Sequence, residues 1–521
     1  MQLPRILSHR IFKRFVKGRY ARLIRAACKS MNPDSEKEAL SEASDILISL
    51  SQRESEFIQI VLTMVEILDE SEPLSSAFLC HILELAALPS VKAVLKLSTC
   101  LLHKIHAKAL FRPKLKNRYR INSCIVWCVL AERLAGKVSA SMLTNEVLNT
   151  LLEGLQTEYP WAIQHLSLVA LENFSLTSEN KARIMESNVT SLIRSLLETS
   201  PNAHDRRQVA ELAICAPWAL KCSFSLSPSL FLSKEDSEIE ALENINVTLN
   251  WCDATSRLKW NPTGLVTRND STAFESVRGT MCVTKGCWFY EVQLITAGIM
   301  QIGWATKYSL FRPADGIGVG DDEHSFAFDG CRKLAWSSGY PLSYGKNGSW
   351  KEGDILGVYL DMEYGIIRFY LNGIDLGIAF EFTGEQLTRY AYDEGGFYPA
   401  LSLTSFQQVA VNFGQTSFRY PPAHLYHNFS QEGKLPESLR LQSVYSRPSM
   451  QDVLGLDADE MNLEQACSIC YDGESTVTLN PCDHGGLCVR CAALVENCPL
   501  CRTPILKRTT KNSTIQYTVK V

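Results

Sequence analysis

Cysteine spacing near the carboxyl end is the feature that most restricts how this chain can fold. The 521-residue sequence has 18 cysteines, and seven of them lie in one short stretch that also holds a histidine. They form four ordered pairs: Cys467 and Cys470, Cys482 and His484, Cys488 and Cys491, and Cys498 and Cys501. A structural zinc ion takes four tetrahedral sulfur or nitrogen ligands, so the pattern predicts two zinc ions.

The alternatives for this cluster are a set of disulfides or two zinc ribbons that follow each other in sequence. Disulfide scaffolds are typical of short, cysteine-dense secreted chains, whereas the other 11 cysteines here are scattered without framework spacing. The pattern therefore favours a reducing compartment and a metal site. Because so short a segment cannot bury enough apolar surface to fold alone, we expect the metals to supply the folding energy, about 10–16 kcal/mol in zinc-finger peptides.

The order and spacing of the pairs resemble the RING-finger pattern. The resemblance implies a cross-brace of two interleaved sites. One zinc would be held by Cys467, Cys470, Cys488 and Cys491, and the other by Cys482, His484, Cys498 and Cys501. It also implies a platform for a ubiquitin-charged conjugating enzyme, with a short helix at about 492–497. Many RING fingers carry a tryptophan in that helix, and this chain has none there.

Three residues match the positions where the RING family contacts the conjugating enzyme. Ile469 lies between the first two ligands, and Pro499 belongs to the second contact loop. Arg502 follows the last ligand, where the family's linchpin cation bridges the conjugating enzyme and ubiquitin. Arginine suits this role because its planar fork can donate to two carbonyls at once. The plain alternatives are a packed core residue for Ile469 and a solvated cation for Arg502.

The middle of the chain changes from helical to alternating periodicity at about Asn246. Apolar residues alternate with other residues over 288–294, 356–360 and 367–371, as expected for half-buried strands. The last run ends in Asn372-Gly373, the strongest short hairpin signal. Turn signals recur and no helix of useful length intervenes, which predicts an antiparallel β-sandwich of two sheets.

Six separated blocks over roughly residues 250–415 resemble a SPRY domain. They are 286–292, 300–305, 320–330, 353–358, 369–373, and 397–400 followed by 411–414. The resemblance implies a module that binds short peptide segments through loops at one end of the sandwich. Exposed loop candidates for that contact are Asp321, Asp322, Trp336 and Tyr340, with solvated turn residues as the alternative. The aromatic residues expected in the core are Trp288, Trp304, Phe326 and Phe369.

The stretch from residue 35 to about 220 has helical periodicity. In 142–155 the leucines and a valine repeat at i, i+4 and i+8 and line one face. A faint 40-residue repeat starts at Val129, Val169 and Val209, close to the period of armadillo and HEAT units. An armadillo-like solenoid and an irregular helical bundle are both open. Cys124 and Cys128 are expected to be buried thiols rather than a ligand pair.

The amino-terminal 30 residues carry nine lysines and arginines and no acidic residue. Three interpretations remain open: a basic amphipathic helix that packs on the next domain, a weak contact with an anionic membrane, and a mitochondrial transit peptide. No secretory signal is recognised there, no apolar run reaches the roughly 18 residues of a membrane span, and we expect a cytoplasmic protein. The net charge of −4 argues against nucleic-acid binding by charge.

These observations predict a multidomain chain with an all-α armadillo/HEAT-like region, an antiparallel β-sandwich of the SPRY type and a small zinc-stapled α+β RING. The expected boundaries are 1–34 basic segment, 35–240 helical region, 245–420 SPRY domain, 421–463 linker, 464–505 RING and 506–521 tail. The order resembles the family of RING-finger and SPRY-domain ubiquitin ligases.

The resemblance implies an E3 ubiquitin ligase without a covalent ubiquitin intermediate. Its partners would be a conjugating enzyme, ubiquitin and a substrate protein bound by the SPRY domain, with RING dimerisation left open. The alternative is a non-catalytic zinc-binding scaffold that uses the SPRY domain and the helical repeat for protein contacts. Ile469 and Arg502 favour the ligase.

Overall fold

The computed structural model of the chain describes residues 20–25, 43–69, 74–107, 113–198 and 245–436, the last range apart from 256, 262 and 346–348. Towards the carboxyl end it describes 467, 474–481, 484–495, 497–499, 505 and 507–510. Several sequence predictions therefore fall outside the described residues, among them most of the basic segment, the repeat copy at 209–212 and most of the linker.

The first described unit is helical. Residues 20–25 and 43–51 form helical segments. The helices that follow are α1 (Glu54–Ile67), α2 (Ser75–Leu85), α3 (Val91–Ile105), α4 (Pro113–Arg133), α5 (Lys137–Met142), α6 (Asn145–Gly154), α7 (Trp161–Phe174), α8 (Ser178–Glu186) and α9 (Val189–Glu198). Among the described helices, none combines the length and apolarity needed to cross a bilayer. The predicted helical region is confirmed, and the armadillo-like repeat stays a prediction.

Helix α4 lies at the centre of this unit. Its residues 120–131 are buried without interruption, and it contacts α1, α2, α3, α5 and α7. The apolar stripe predicted over 142–155 is buried as expected. Cys124 and Cys128 are buried in α4, and burial raises the pKa of the Cys124 thiol to about 11. These thiols stay protonated at neutral pH, in agreement with a packing role.

The second unit is a two-sheet antiparallel sandwich, as predicted. One sheet has the strand order β1-β2-β13-β4-β9-β10-β11, with β14 beside β4, and the other has the order β3-β12-β5-β6-β7-β8. The strands of the first sheet are β1 (Leu258–Trp260), β2 (Val266–Asn269), β4 (Cys287–Leu294), β9 (Ile355–Asp361), β10 (Ile366–Leu371), β11 (Ile374–Glu381), β13 (Gln408–Asn412) and β14 (His427–Asn428). Those of the second are β3 (Glu275–Arg278), β5 (Met300–Ala305), β6 (Ser325–Asp329), β7 (Leu334–Ser337), β8 (Tyr340–Ser343) and β12 (Tyr398–Leu403).

The predicted hairpin turn and the predicted core aromatic residues of the sandwich are both confirmed. Asn372 and Gly373 have φ of 52° and 81°, which gives the left-handed two-residue turn between β10 and β11. The predicted core aromatics Trp288, Trp304, Phe326 and Phe369 are all buried. Two short helices, α10 (Gly384–Thr388) and α11 (Phe429–Glu432), complete the unit. Phe429 is buried in the sandwich core, so the packed unit extends beyond residue 420.

Helix α7 joins the helical unit to one end of the sandwich. Trp161 and His165, one turn apart, reach a backbone acceptor just after β4 and a side-chain acceptor on the first residue of β13. The indole of Trp161 donates to the carbonyl of Ile295 at 3.0 Å, and His165 Nε2 lies 3.0 Å from Gln408 Oε1. Burial lowers the pKa of His165 to about 4, so the ring is neutral at physiological pH.

The junction also contains buried charges. Arg268 of β2 forms ion pairs with Glu172 of α7 at 3.0 Å and with Asp270 at 2.6 Å. Lys259 of β1 adds a second cation, with Nζ 2.7 Å from Asp270 and 2.9 Å from the Asn173 side chain. Burial alone would raise the pKa of Asp270, but the charges on Arg268 and Lys259 hold it below its usual range.

We expect Arg268→Ala to destabilise the chain strongly, because it leaves Glu172 and Asp270 facing each other without the cation between them. Removing one partner of a buried pair lowers the free energy of unfolding by about 3 kcal/mol or more. This corresponds to a fall of about 5 °C in the melting midpoint of the joined helical and sandwich units. Calorimetry of the full chain measures it. Arg312→Ala is the matched control, since the Arg312–Asp315 pair is 3.9 Å long and exposed and should shift the midpoint little. Equal shifts for both variants would contradict the role of Arg268.

Candidate metal centre

Three of the predicted ligands converge at the carboxyl end of the chain. The thiols of Cys467, Cys488 and Cys491 are buried and lie within 4.8 Å of one another. Cys488 is the N-cap of helix α12 (Val489–Leu494), and its Sγ accepts the backbone N–H of Cys491 at 3.4 Å. The start of this helix therefore turns both thiols of the Cys488-x2-Cys491 pair towards Cys467.

The donor set fits a zinc ion. At Zn–S bonds of about 2.3 Å, two thiolates on a tetrahedral ion are about 3.8 Å apart, so small side-chain shifts would place these three sulfurs on one metal. Soft thiolate ligands in a tetrahedral arrangement favour zinc over magnesium or calcium. Cys470, the predicted fourth ligand, lies outside the described residues.

A second pair of predicted ligands meets separately. His484 Nδ1 lies 3.6 Å from Cys498 Sγ, with Cys498 buried and His484 half-buried. These two residues are 14 apart in sequence. They belong to the second and fourth ligand pairs, and the third pair lies between them in the chain. His484 and Cys498 thus bring together members of the second and fourth pairs, as Cys467, Cys488 and Cys491 bring together members of the first and third. Cys482 and Cys501 lie outside the described residues.

A three-stranded sheet supports both groups of ligands. Its order is β16-β15-β17, built from β15 (Val477–Asn480), β16 (His484–Leu487) and β17 (Lys507–Thr510). The pairing of β15 with β16 contains a register shift, and Gly486 there has φ of 98°, which a residue with a side chain rarely adopts. The buried side chains around the ligands are Val477, Leu479, Leu487, Ala492 and Ile505.

The structure describes one of the three residues predicted to contact a conjugating enzyme. Pro499 follows the buried Cys498 and is exposed, so it can be reached by another protein. Ile469 and Arg502 lie outside the described residues. The predicted helix is present as α12, which begins earlier than residue 492.

The four sandwich residues predicted to be exposed loop contacts for a partner differ in their exposure and hydrogen bonding. Tyr340 is 75% exposed, but Trp336 lies in β7 and is buried against Val319 and Ala327, so its prediction as an exposed contact was wrong. Asp322 accepts hydrogen bonds from Ser309, Leu310, His324 and Ser325 and holds the loop in shape. Asp321 accepts from the Gly318 N–H, and burial raises its pKa to about 6.

Sequence reasoning missed three exposed apolar residues near Tyr340. Tyr308, Leu310 and Tyr392 are 49%, 71% and 81% exposed. Tyr308 and Leu310 lie on the loop after β5, and Tyr392 lies in the helical turn Arg389–Asp393. Hydrogen bonds tie these segments and the β7–β8 turn together: Ser338 N–H to the Asp322 carbonyl at 2.9 Å, Tyr390 OH to the Glu323 carbonyl at 3.1 Å, and His324 to Glu394 at 2.9 Å. We call Tyr308, Leu310, Tyr340 and Tyr392 the loop surface. Large apolar residues inside polar loops were the signal that could have indicated it.

Comparison with known families identifies both modules. Residues 287–416 match the SPRY domain, and residues 463–508 match the zinc finger of C3HC4 type, the RING finger. The chain contains a SPRY domain and a carboxyl-terminal RING finger. The RING finger is a zinc-binding fold, and the converging thiols described above are part of it.

Two curated relatives share part of the chain. E3 ubiquitin-protein ligase RKP of Arabidopsis thaliana is 43% identical over 148 residues, which is 28% of this chain and 11% of the relative. ATP-dependent RNA helicase DDX1 of Xenopus laevis is 29% identical over 145 residues, which is 28% of this chain and 17% of the relative. The chain thus spans less than a fifth of the length of either relative.

Among solved structures, the SPRY domain of human HERC1 matches at 16% sequence identity and a TM-score of 0.27. The match covers 32% of this chain and 99% of that one.

Replacing a cluster thiol should release zinc from the RING finger. We expect Cys491→Ser to lower the zinc-to-chain ratio and to unfold the RING sheet, because structural zinc supplies the folding energy of such domains. Elemental analysis and hydrogen exchange of the purified full chain measure both effects. The matched control is Cys252→Ser, an exposed cysteine of the sandwich unit. Unchanged zinc in Cys491→Ser would show that this thiol is not a ligand.

Proposed function

We propose that this chain is a RING-type E3 ubiquitin ligase. The observation that carries the proposal is the RING match over 463–508 together with the convergence of its predicted metal-binding thiols. The two curated relatives have different activities by name, a ligase and a helicase. The similarity to them therefore supports the proposal less than the RING itself does.

The proposed RING holds two zinc ions in a cross-brace. Cys467, Cys470, Cys488 and Cys491 bind one ion, and Cys482, His484, Cys498 and Cys501 bind the other. Support comes from the two groups of ligands that lie close together, three thiols of the first set and His484 with Cys498 of the second. The ions are structural, and their chemistry is to hold the two ligand-bearing loops at a fixed separation.

Catalysis in this proposal is positional. The chain supplies no nucleophile; it binds a ubiquitin-charged conjugating enzyme and restricts the thioester to a reactive orientation, which lowers the entropic part of the barrier. Ile469 and Pro499 form the apolar contact with the conjugating enzyme. The Arg502 guanidinium donates hydrogen bonds to the conjugating enzyme and to ubiquitin at once. A substrate lysine then attacks the thioester carbonyl, and the thiol of the conjugating enzyme leaves.

The SPRY domain is proposed to select the substrate through the loop surface. Strands β4 and β5 are joined by the short connection 295–299, so the end of β4 and the start of β5 lie at the same end of the sandwich. Helix α7 covers that end through Ile295 and Gln408. The loop that follows β5 and carries Tyr308 and Leu310 leaves from the opposite end, so the helical unit does not occlude it.

Autoubiquitination with a panel of conjugating enzymes tests the ligase. We expect activity with at least one of them, and Arg502→Ala should lower that rate about 10- to 100-fold, because loss of charge-assisted hydrogen bonds costs about 1.5–3 kcal/mol. Zinc content must stay unchanged in the variant. Lys507→Ala, a nearby cation on β17, is the control. Inactivity of the wild-type chain with every conjugating enzyme would favour the non-catalytic scaffold.

Variants of the loop surface test substrate selection. The double variant Leu310→Ser with Tyr392→Ser should weaken binding of SPRY-dependent partners about tenfold or more, because such exposed anchors carry much of an interface's binding energy. Partners captured by the full chain are quantified by mass spectrometry and then assayed for ubiquitination. Leu176→Ser changes an exposed leucine of the helical unit and should retain the same partners. Equal capture and equal modification by both variants would remove the loop surface from the proposal.

A further inference from the structure

We propose that Arg508 is a positioning residue of the RING finger, which fixes helix α12 and the loop after it for docking of the conjugating enzyme. The inference rests on the proposed ligase function and adds a residue outside the metal ligands and outside the three predicted contacts. Arg508 lies on β17, beyond the last predicted ligand Cys501 and beyond the sequence-predicted end of the RING at 505.

The side chain of Arg508 binds the carboxyl end of α12. Its Nε donates to the carbonyl of Ala492 at 2.6 Å, and an Nη donates to the carbonyl of Val495 at 2.6 Å. Val495 is the C-cap of α12. Carbonyls at a helix end have no partner within the helix, and a planar guanidinium with several donors can satisfy two of them together.

Strand pairing fixes the backbone from which Arg508 reaches. Strand β17 pairs with β15 over four residues, and Arg508 stands directly opposite Leu479. Leu479 in turn stands opposite His484 of β16. Directly opposed residues point to the same face of a sheet, so Arg508 lies on the face that carries buried Leu479 and the candidate ligand His484. Lys507 points to the other face.

Helix α12 and its following loop connect the two groups of ligands. Cys488 caps the helix, which includes Cys491, and the chain then runs through Val495 to buried Cys498 and exposed Pro499. Because Arg508 holds the carbonyl of Val495, it fixes the point from which this loop departs. The zinc ligands fix the two ends of the segment, whereas Arg508 fixes its middle against the sheet.

The first test asks whether Arg508 holds the helix. Hydrogen exchange is measured over residues 488–495 in the zinc-loaded full chain. We expect Arg508→Ala to speed exchange in this segment about tenfold or more, because two hydrogen bonds from a charged group are lost and about 1.4 kcal/mol corresponds to tenfold. Lys507→Ala should exchange as the wild type does, and Arg508→Lys, with a single donor group, should lie between them. Equal exchange in Arg508→Ala and Lys507→Ala would overturn the proposal.

The second test asks whether this restraint matters for docking. Discharge of ubiquitin from the conjugating enzyme that gives the fastest wild-type reaction is followed against the concentration of the charged enzyme. We expect Arg508→Ala to raise the half-saturating concentration about tenfold, with zinc content unchanged and the maximal rate within about twofold. A purely structural role would instead lower zinc content and maximal rate together and leave half-saturation unchanged.

The outcomes separate this inference from the ligase proposal. If the wild-type chain is active and Arg508→Ala has wild-type half-saturation, the docking role of Arg508 is wrong and the ligase proposal stands. If the wild-type chain discharges no conjugating enzyme, the ligase proposal and the docking role both fail. In that case the exchange measurement alone still decides whether Arg508 restrains α12.

Discussion

The ion cluster around Arg268 is the interaction that orients the largest part of the structure. Arg268 and Lys259 of the sandwich face Asp270 and Glu172, so the junction buries balanced charge instead of an apolar seam alone. Buried ion pairs contribute little net stability compared with apolar packing, but a misaligned one is costly. The cluster therefore favours one docking of the sandwich on α7, while Val266, Ile295 and Phe406 supply the apolar contact as members of the helical core.

This orientation has a consequence for recognition. The junction occupies the end of the sandwich where β4 ends and β13 begins, and it leaves the opposite end uncovered by α7. The loop surface at that opposite end combines three tyrosines and a leucine. Tyrosine anchors give large contact area at a small loss of side-chain entropy, which is why they are frequent in interfaces. The described helical unit thus leaves the proposed recognition surface accessible.

Features set by residues close together in the sequence could be predicted, whereas contacts between residues far apart in the sequence could not. The RING-type cysteine pattern and the Asn372-Gly373 hairpin could be recognised because their signals are local spacings. Trp336 was misplaced because an aromatic residue beside a turn signal can belong either to the loop or to the strand before it. Arg268 and Glu172 are 96 residues apart, and each alone is typical of a surface. Arg508 follows the recognisable motif and acts through backbone carbonyls, which carry no side-chain signature.

The RING is stabilised in a different way from the helical and sandwich units. The helical and sandwich units have extensive apolar cores, whereas the described RING cluster has nine buried residues, four of them candidate metal ligands. With so few apolar side chains, the RING depends on its metals and on contacts such as those of Arg508. Under the proposed ligase function, loss of zinc would abolish ubiquitin transfer while the sandwich stays folded on its own apolar core. A metal-depleted form of the proposed ligase would then keep its proposed recognition surface and compete with the zinc-loaded form for the same substrates.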